Sequence, residues 1–102
     1  LRETAARYAP PMDEKAFEAA LRRDGFQEVL RRSLPSGDAL PEHHHAWEVR
    51  GLVVRGRFRI WGPDGEQDCG PGEVFTLPIG RPHEEAAGDQ GATLVIGRRH
   101  PT

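Results

Sequence analysis

The sequence contains little cysteine and no long apolar run. Its 102 residues include one cysteine, Cys69, which excludes an intramolecular disulfide and fits a reducing compartment. No apolar stretch approaches the length of a membrane-spanning helix. The opening residues, Leu1 to Thr4, show neither the apolar core nor the cleavage site of a secretory signal. We therefore expect a cytoplasmic protein with no membrane partner.

The chain also lacks a strong net charge. Fourteen basic and 16 acidic residues leave a formal charge of −2, and every basic residue except Lys15 is arginine. Such a balanced mixture creates no field that would attract a nucleic-acid backbone, so we expect no nucleic-acid partner. A chain of this length forms one domain, near the small end of what supports a hydrophobic core.

The first quarter of the chain is predicted to contain a tail and a helix. Pro10 and Pro11 separate an N-terminal tail, residues 1–11, from a single domain over residues 12–102. Residues 12–24 are predicted to form a helix, because Asp13 is a suitable N-cap and apolar residues follow at helical spacing. Gly25 ends it.

From Phe26 onward the pattern is typical of an all-β sandwich or barrel of seven or eight strands. The clearest strand covers residues 52–61, where apolar residues alternate with arginines, and residues 62–65 are a turn signal that closes a hairpin. Later strands are predicted at 74–77 and 92–97. A polar loop is predicted at 87–91.

Three histidines at two places are the strongest functional signal. His43 and His45 alternate with His44, so on an extended strand they face one side while His44 faces the other. His83 follows 38 residues after His45. Neutral imidazoles are common ligands of metal ions, so the three side chains are candidate metal ligands if the fold brings them together.

Glycines and prolines stand at regular distances before these histidines. Gly37 precedes His43 by six residues, and three such residues lead up to His83: Gly72, Pro78 and Gly80. Glycine permits positive φ at a turn and proline restricts the backbone, so this punctuation predicts a fixed position for His83.

This spacing resembles the two motifs of the cupin superfamily. The residues that match the first motif are Gly37, His43, His45 and Gly56, and those that match the second are Gly72, Pro78, Gly80 and His83. The resemblance covers about residues 37–98. It implies a cupin-type double-stranded β-helix, a jelly-roll barrel, which the short N-terminal helix would precede. It also implies homodimers.

The acidic ligand of the first motif is missing. It would fall at Val49 or Arg50, and the nearest carboxylate is Glu48. On a regular strand Glu48 faces outward with His44, and only a β-bulge would turn it inward. Glu85 alternates in phase with His83 and is another candidate, although we interpret Glu84 and Glu85 mainly as charges at the rim. Water is the third alternative for the fourth position.

Two classes of function follow from these observations. The first is a metal-dependent enzyme, in which Fe, Ni, Cu, Zn or Mn is bound by the three histidines and acts on a small oxygen-bearing molecule. The cupin resemblance implies the dioxygenase or isomerase type. The second is a non-catalytic module that binds or senses a metal or a small ligand. No separate base or nucleophile is apparent, and Cys69 is given no role. Either class would bind a small molecule.

Overall fold

The computed structural model of the protein describes residues 13–101. One helix precedes six strands in this part of the chain: α1 (Glu14–Arg23), β1 (Glu28–Leu34), β2 (Ala39–His43), β3 (Glu48–Gly62), β4 (Gly65–Cys69), β5 (Val74–Leu77) and β6 (His83–Arg99). The prediction of an all-β fold preceded by a short helix is confirmed. The predicted tail, residues 1–11, lies outside the described residues.

All strand pairs are antiparallel, and two long strands organise them. The strand order is β1-β6-β3-β4, with β2 paired to β6 and β5 paired to β3. The first half of β6 pairs with β2 and its second half with β1, while β3 pairs with β5 early and with β4 late. Each long strand therefore contributes to both ends of the barrel. Because β3 and β6 are each long enough to pair with several strands, the described residues form six strands rather than the predicted seven or eight.

The predicted polar loop at 87–91 is wrong, because β6 runs through it without interruption. The irregularity there is a shift in pairing: Ala92 lies opposite Gly56, whereas Ala87 lies opposite Phe58. Gly56 has φ +81°, and a Cβ atom on it would lie 2.0 Å from the carbonyl oxygen of Gly91. Glycine is required at position 56 because the two backbones approach each other here.

The hydrophobic core has two parts. The larger fills the barrel, and its most deeply buried members come from β3, β5 and β6: Val53, Phe58, Phe75 and Leu94. The smaller lies outside the sheet, where Phe17 and Leu21 of α1 pack against Leu52 and Val95. The helix thus covers the outer face of the two long strands and does not enter the barrel.

The helix begins as predicted but is shorter. Asp13 is the N-cap, and its carboxylate accepts a hydrogen bond from the backbone N–H of Ala16 at 2.8 Å. The helix covers Glu14–Arg23 rather than 12–24. Met12 lies outside the described residues, and Asp24 is the C-cap.

Replacement of this cap gives a measurable loss of stability. Asp13→Ala removes the acceptor for an otherwise unpaired helix N–H, which costs about 1 kcal/mol in comparable helices. We expect that decrease in the free energy of unfolding by urea, with metal content unchanged because the helix lies outside the barrel. An Asp13→Asn variant should retain most of the stability, and equal losses in both variants would contradict the capping explanation.

The homodimer stays a prediction. It is motivated by the sheet edges of a small barrel and by large apolar side chains exposed on the described part of the chain: Leu40, Val74 and Ile79. We expect light scattering to give twice the chain mass at micromolar concentration and above. A monomer mass across a wide concentration range would contradict it.

Within residues 13–101, α1 is too short and too polar to span a bilayer.

Candidate metal centre

The fold brings the three predicted histidines together at one end of the barrel. His43 is the last residue of β2 and lies directly opposite His83, the first residue of β6. His45 lies two residues beyond the end of β2, where its carbonyl oxygen accepts a hydrogen bond from the N–H of Gly80 at 2.9 Å. Gly80 has φ +75°, as the glycine pattern predicted. This bond ties the segment after β2 to the turn before β6.

The three imidazoles form a compact group. One ring nitrogen from each of His43, His45 and His83 lies within 4.8 Å of the others. The ring centroids are 5.0 Å apart for His43 and His45, and 4.3 Å apart for His43 and His83. His44 is exposed and does not belong to the group. The expected alternation of the histidines is therefore observed.

Backbone carbonyls determine which nitrogen of two rings carries the proton. Nδ1 of His43 lies 2.8 Å from the carbonyl oxygen of Pro41, and Nδ1 of His83 lies 3.0 Å from that of Arg81. A carbonyl oxygen only accepts hydrogen bonds, so each Nδ1–H must be the donor. In the neutral ring Nε2 then carries a free lone pair. Metal-binding histidines are commonly oriented in this way.

His83 is the most buried member, at 2% exposure. Its Nε2 has no hydrogen-bond partner among the described residues. A buried polar atom without a partner costs free energy, so such atoms are rare unless a ligand satisfies them. The unsatisfied Nε2 of His83 is the feature that most directly indicates a bound cation.

The third ring, His45, is held in its neutral form. Burial, and next to it the repulsion of a positive charge by the neighbouring His43 and His83, lower its pKa to about 4. At neutral pH the ring therefore has one nitrogen lone pair available for a metal. Trp47 stacks on this ring with centroids 5.1 Å apart and restricts its orientation.

Glu85 belongs to the same site. It is 6% exposed, and its Oε1 lies 3.5 Å from Nε2 of His43 and 3.5 Å from Nε2 of His83. Its interpretation as a rim charge is wrong, because it faces inward on β6 two residues after His83. The alternation with His83 was the available signal. Glu84 is only partly buried and lies outside the group.

Glu48 lies elsewhere. Its Oε1 accepts hydrogen bonds from Nε and Nη2 of Arg99 at 3.0 and 2.7 Å. Arg99 also donates to the carbonyl oxygen of Asp24, so the guanidinium is fixed between two acceptors. The acid nearest to the missing motif position is thus engaged in a surface ion pair, while Glu85 contacts the histidines.

The site adjoins a small cavity inside the barrel. The cavity has a volume of about 40 Å³. Its polar lining comes from five residues: Arg32, His45, Trp47, Glu85 and Arg98. Its apolar lining includes Phe58, which is also a buried member of the barrel core. A space of this size holds a few water molecules or a molecule of a few heavy atoms.

The donor set fits a divalent transition metal. Two imidazole lone pairs are directed by their carbonyl partners, a third ring is neutral, and a carboxylate oxygen lies within 3.5 Å of two of them. Nε2 of His43, Nε2 of His83 and the carboxylate of Glu85 all accept hydrogen bonds, so they repel each other unless a cation or a proton lies between them. Nitrogen ligands with one carboxylate suit Fe, Ni, Cu, Zn and, less well, Mn.

Cys69, for which the sequence predicts no role, lies outside this centre. Its thiol is buried and its pKa is raised by that burial and by Glu73 and Asp68. A thiol in such surroundings is inert.

The chain belongs to the cupin domain family. The family's model matches residues 30–96, which is more than half of the chain and includes the three histidines and Glu85. No curated protein matches the sequence significantly.

Solved structures of cupins share the fold. A protein of unknown function from Rhizobium leguminosarum is 19% identical, with a TM-score of 0.68 over 72% of this chain and 69% of the other. A cupin-2 domain protein from Shewanella frigidimarina is 21% identical, with a TM-score of 0.58 over 70% and 69%. The polyketide cyclase RemF from Streptomyces resistomycificus is 27% identical, with a TM-score of 0.57 over 69% of this chain and 52% of that protein.

Proposed function

We propose that this protein binds a divalent transition metal through His43, His45 and His83, and that Glu85 supplies the fourth protein ligand. The observation that carries the proposal is the buried Nε2 of His83, which has no partner among the described residues. It faces the carboxylate of Glu85 at 3.5 Å, although neither atom carries a proton when His83 is neutral and Glu85 is ionised. A metal ion would satisfy both atoms.

The chain's own residues prepare this centre before any metal arrives. The carbonyls of Pro41 and Arg81 hold two rings in the tautomer that leaves Nε2 free, and the stack with Trp47 restricts the orientation of the third ring, His45. A metal bound here would act as a Lewis acid towards a small oxygen-bearing molecule or as a carrier of dioxygen.

We further propose that the site is catalytic, of the dioxygenase or isomerase type. The support is the cavity beside the histidines, whose polar lining provides charged groups that can orient a small molecule next to the metal. A site with a purely structural metal has no need of such a space. The similarity to a polyketide cyclase is compatible with an enzyme but does not identify a substrate.

The second candidate is a non-catalytic module that binds a metal or a small ligand. The observation in its favour is the size of the cavity, about 40 Å³, which admits only a very small molecule in the form described. For either class we propose a cytoplasmic location, on the basis of the single cysteine.

Elemental analysis of tag-free protein followed by oxygen-uptake measurements separates these proposals. We expect close to one metal ion per chain, and for an iron-dependent oxygenase we expect oxygen uptake with some members of a panel of small hydroxy, oxo and carboxylic acids. Isomerase activity is read by NMR in D2O as conversion of the same compounds into isomers, with incorporation of deuterium where the transferred proton exchanges with solvent. Metal without turnover in either assay favours the binding module. Absence of metal contradicts the metal-dependent enzyme and leaves only a module that binds a small ligand.

A further inference from the structure

The inward face of β1 carries an arginine that the metal site does not use. Arg32 lies between Leu30 and Leu34 in the alternation of the strand, and both leucines pack against the barrel core. The outward neighbour Arg31 is paired with Glu14 at 3.1 Å. Arg32 is half-buried and lines the cavity beside His45 and Glu85.

Arg32 makes no hydrogen bond or ion pair within residues 13–101. Most other arginines near the core have an acidic partner: Arg50 is paired with Asp24, Arg98 with Glu28 and Arg99 with Glu48. A partly buried guanidinium without an anion is costly, because its hydration is reduced and nothing replaces it. The position therefore favours an external anion.

Two further groups point to the same kind of ligand. Nε1 of Trp47 is buried and has no acceptor among the described residues, and the Trp47 side chain lines the same cavity. Arg98 lines it as well, with its guanidinium carbon 5.0 Å from the centre of the Trp47 ring. Glu28 neutralises Arg98, so within residues 13–101 Arg32 is the cation of the cavity that has no acidic partner.

The charges around the metal centre also favour an anionic ligand. Among the described residues, Glu85 is the one acidic side chain that lines the cavity, and its carboxylate is directed at the histidines. A divalent metal would more than neutralise it, and Arg32 would add another positive charge. An oxygen-bearing ligand that enters such a space is stabilised if it is an anion.

We propose that the cavity binds the carboxylate of a small acid, with Arg32 as its ion-pair partner and the indole N–H of Trp47 as an additional donor. Arginine suits this role because its planar fork matches a carboxylate. The inference names the substrate class of the proposed metal site and rests on that proposal for its chemistry. The volume of about 40 Å³ restricts the bound part to a few heavy atoms.

Formate and formamide provide the test, since they have the same size and differ in charge. Each is titrated into ¹⁵N-labelled, zinc-loaded protein at constant ionic strength, and the indole N–H resonances of Trp47 and Trp61 are followed by NMR. We expect formate to shift the Trp47 resonance with saturation, while formamide at the same concentrations does not. Trp61, which does not line the cavity, serves as the internal control.

Substitutions of the two adjacent arginines of β1 show whether Arg32 is responsible for formate binding. Arg32→Gln should raise the Kd of formate about tenfold or more, the order expected for loss of a charged hydrogen-bond partner. Arg32→Lys keeps the charge and should restore part of the affinity, whereas the outward control Arg31→Gln should leave it unchanged. Equal responses to formate and formamide, or an unchanged formate Kd in a folded Arg32→Gln variant, would overturn the inference.

Zinc content is measured in every sample, so the two proposals fail separately. Protein that takes up no zinc contradicts the metal centre. In that case the formate and formamide titrations of the same samples still decide whether Arg32 binds a carboxylate. Zinc-loaded protein that shows no preference for formate contradicts the carboxylate site alone.

Discussion

Single replacement of His43, His45 or His83 with alanine is expected to lower metal affinity by about a hundredfold or more while the barrel stays folded. Loss of a group that only supports a ligand costs about ten- to a hundredfold, so loss of a ligand costs at least as much. The fold should persist because its core lies in separate apolar clusters of β3, β5, β6 and α1. Elemental analysis and competition with a chelator measure the change.

His44→Ala is the matched control for this series. His44 lies between two of the proposed ligands in the sequence but is exposed, and its ring is not part of the group. We expect its metal content and affinity to equal those of the unaltered protein. Unchanged metal content in all three ligand variants would contradict the proposed centre, as would a loss in His44→Ala equal to theirs.

The second large effect on metal affinity is expected from Glu85 and not from Glu48. Glu85→Gln keeps the size of a buried side chain but removes the charge that lies 3.5 Å from Nε2 of His43 and of His83. We expect metal affinity to fall about tenfold or more, because a carboxylate ligand is replaced by a weakly binding amide. Competition of the loaded protein with a chelator of known affinity gives the change in Kd.

Glu48→Gln is the counterpart of that substitution. Glu48 accepts two hydrogen bonds from Arg99, so its replacement should weaken a partly exposed ion pair and leave most of the metal bound. Such pairs contribute about 1 kcal/mol or less to stability. If Glu48→Gln released the metal and Glu85→Gln retained it, the assignment of the fourth ligand would be reversed.

The histidine group could be predicted from the sequence because its spacing carries the geometry. Alternation places His43 and His45 on one side, and the glycines and proline before His83 fix the turn that leads into β6. Such patterns describe local backbone, and local backbone is what period and turn chemistry determine. The short helix with its Asp13 cap could be predicted for the same reason.

Glu85 and Arg32 show where prediction from sequence stops. Both occupy inward positions by simple alternation, Glu85 with His83 and Arg32 with Leu30 and Leu34. A charged residue at such a position is normally expected at a rim, since charge is costly to bury. Only the closed barrel shows that both side chains meet around one small cavity beside the histidines.

The prediction of a polar loop at 87–91 failed for a related reason. The composition of this stretch is typical of a loop, yet β6 continues through it, because the residues on either side pair with partners far away in the sequence, Ala87 with Phe58 and Ala92 with Gly56. Strand formation depends on these partners more than on local preference. Gly56 and Gly91 provide the close backbone approach that allows the extra residues to be accommodated.

The most direct test of the metal centre is anomalous diffraction from crystals grown with zinc and recorded on both sides of the zinc absorption edge. The account predicts one strong anomalous peak per chain, bonded to a nitrogen of His43, His45 and His83 and to a carboxylate oxygen of Glu85 at about 2.0 to 2.2 Å. It also predicts that Glu48 remains on Arg99. A peak coordinated by Glu48 in place of Glu85 would contradict the ligand assignment, and absence of a peak at the three histidines would contradict the metal centre itself.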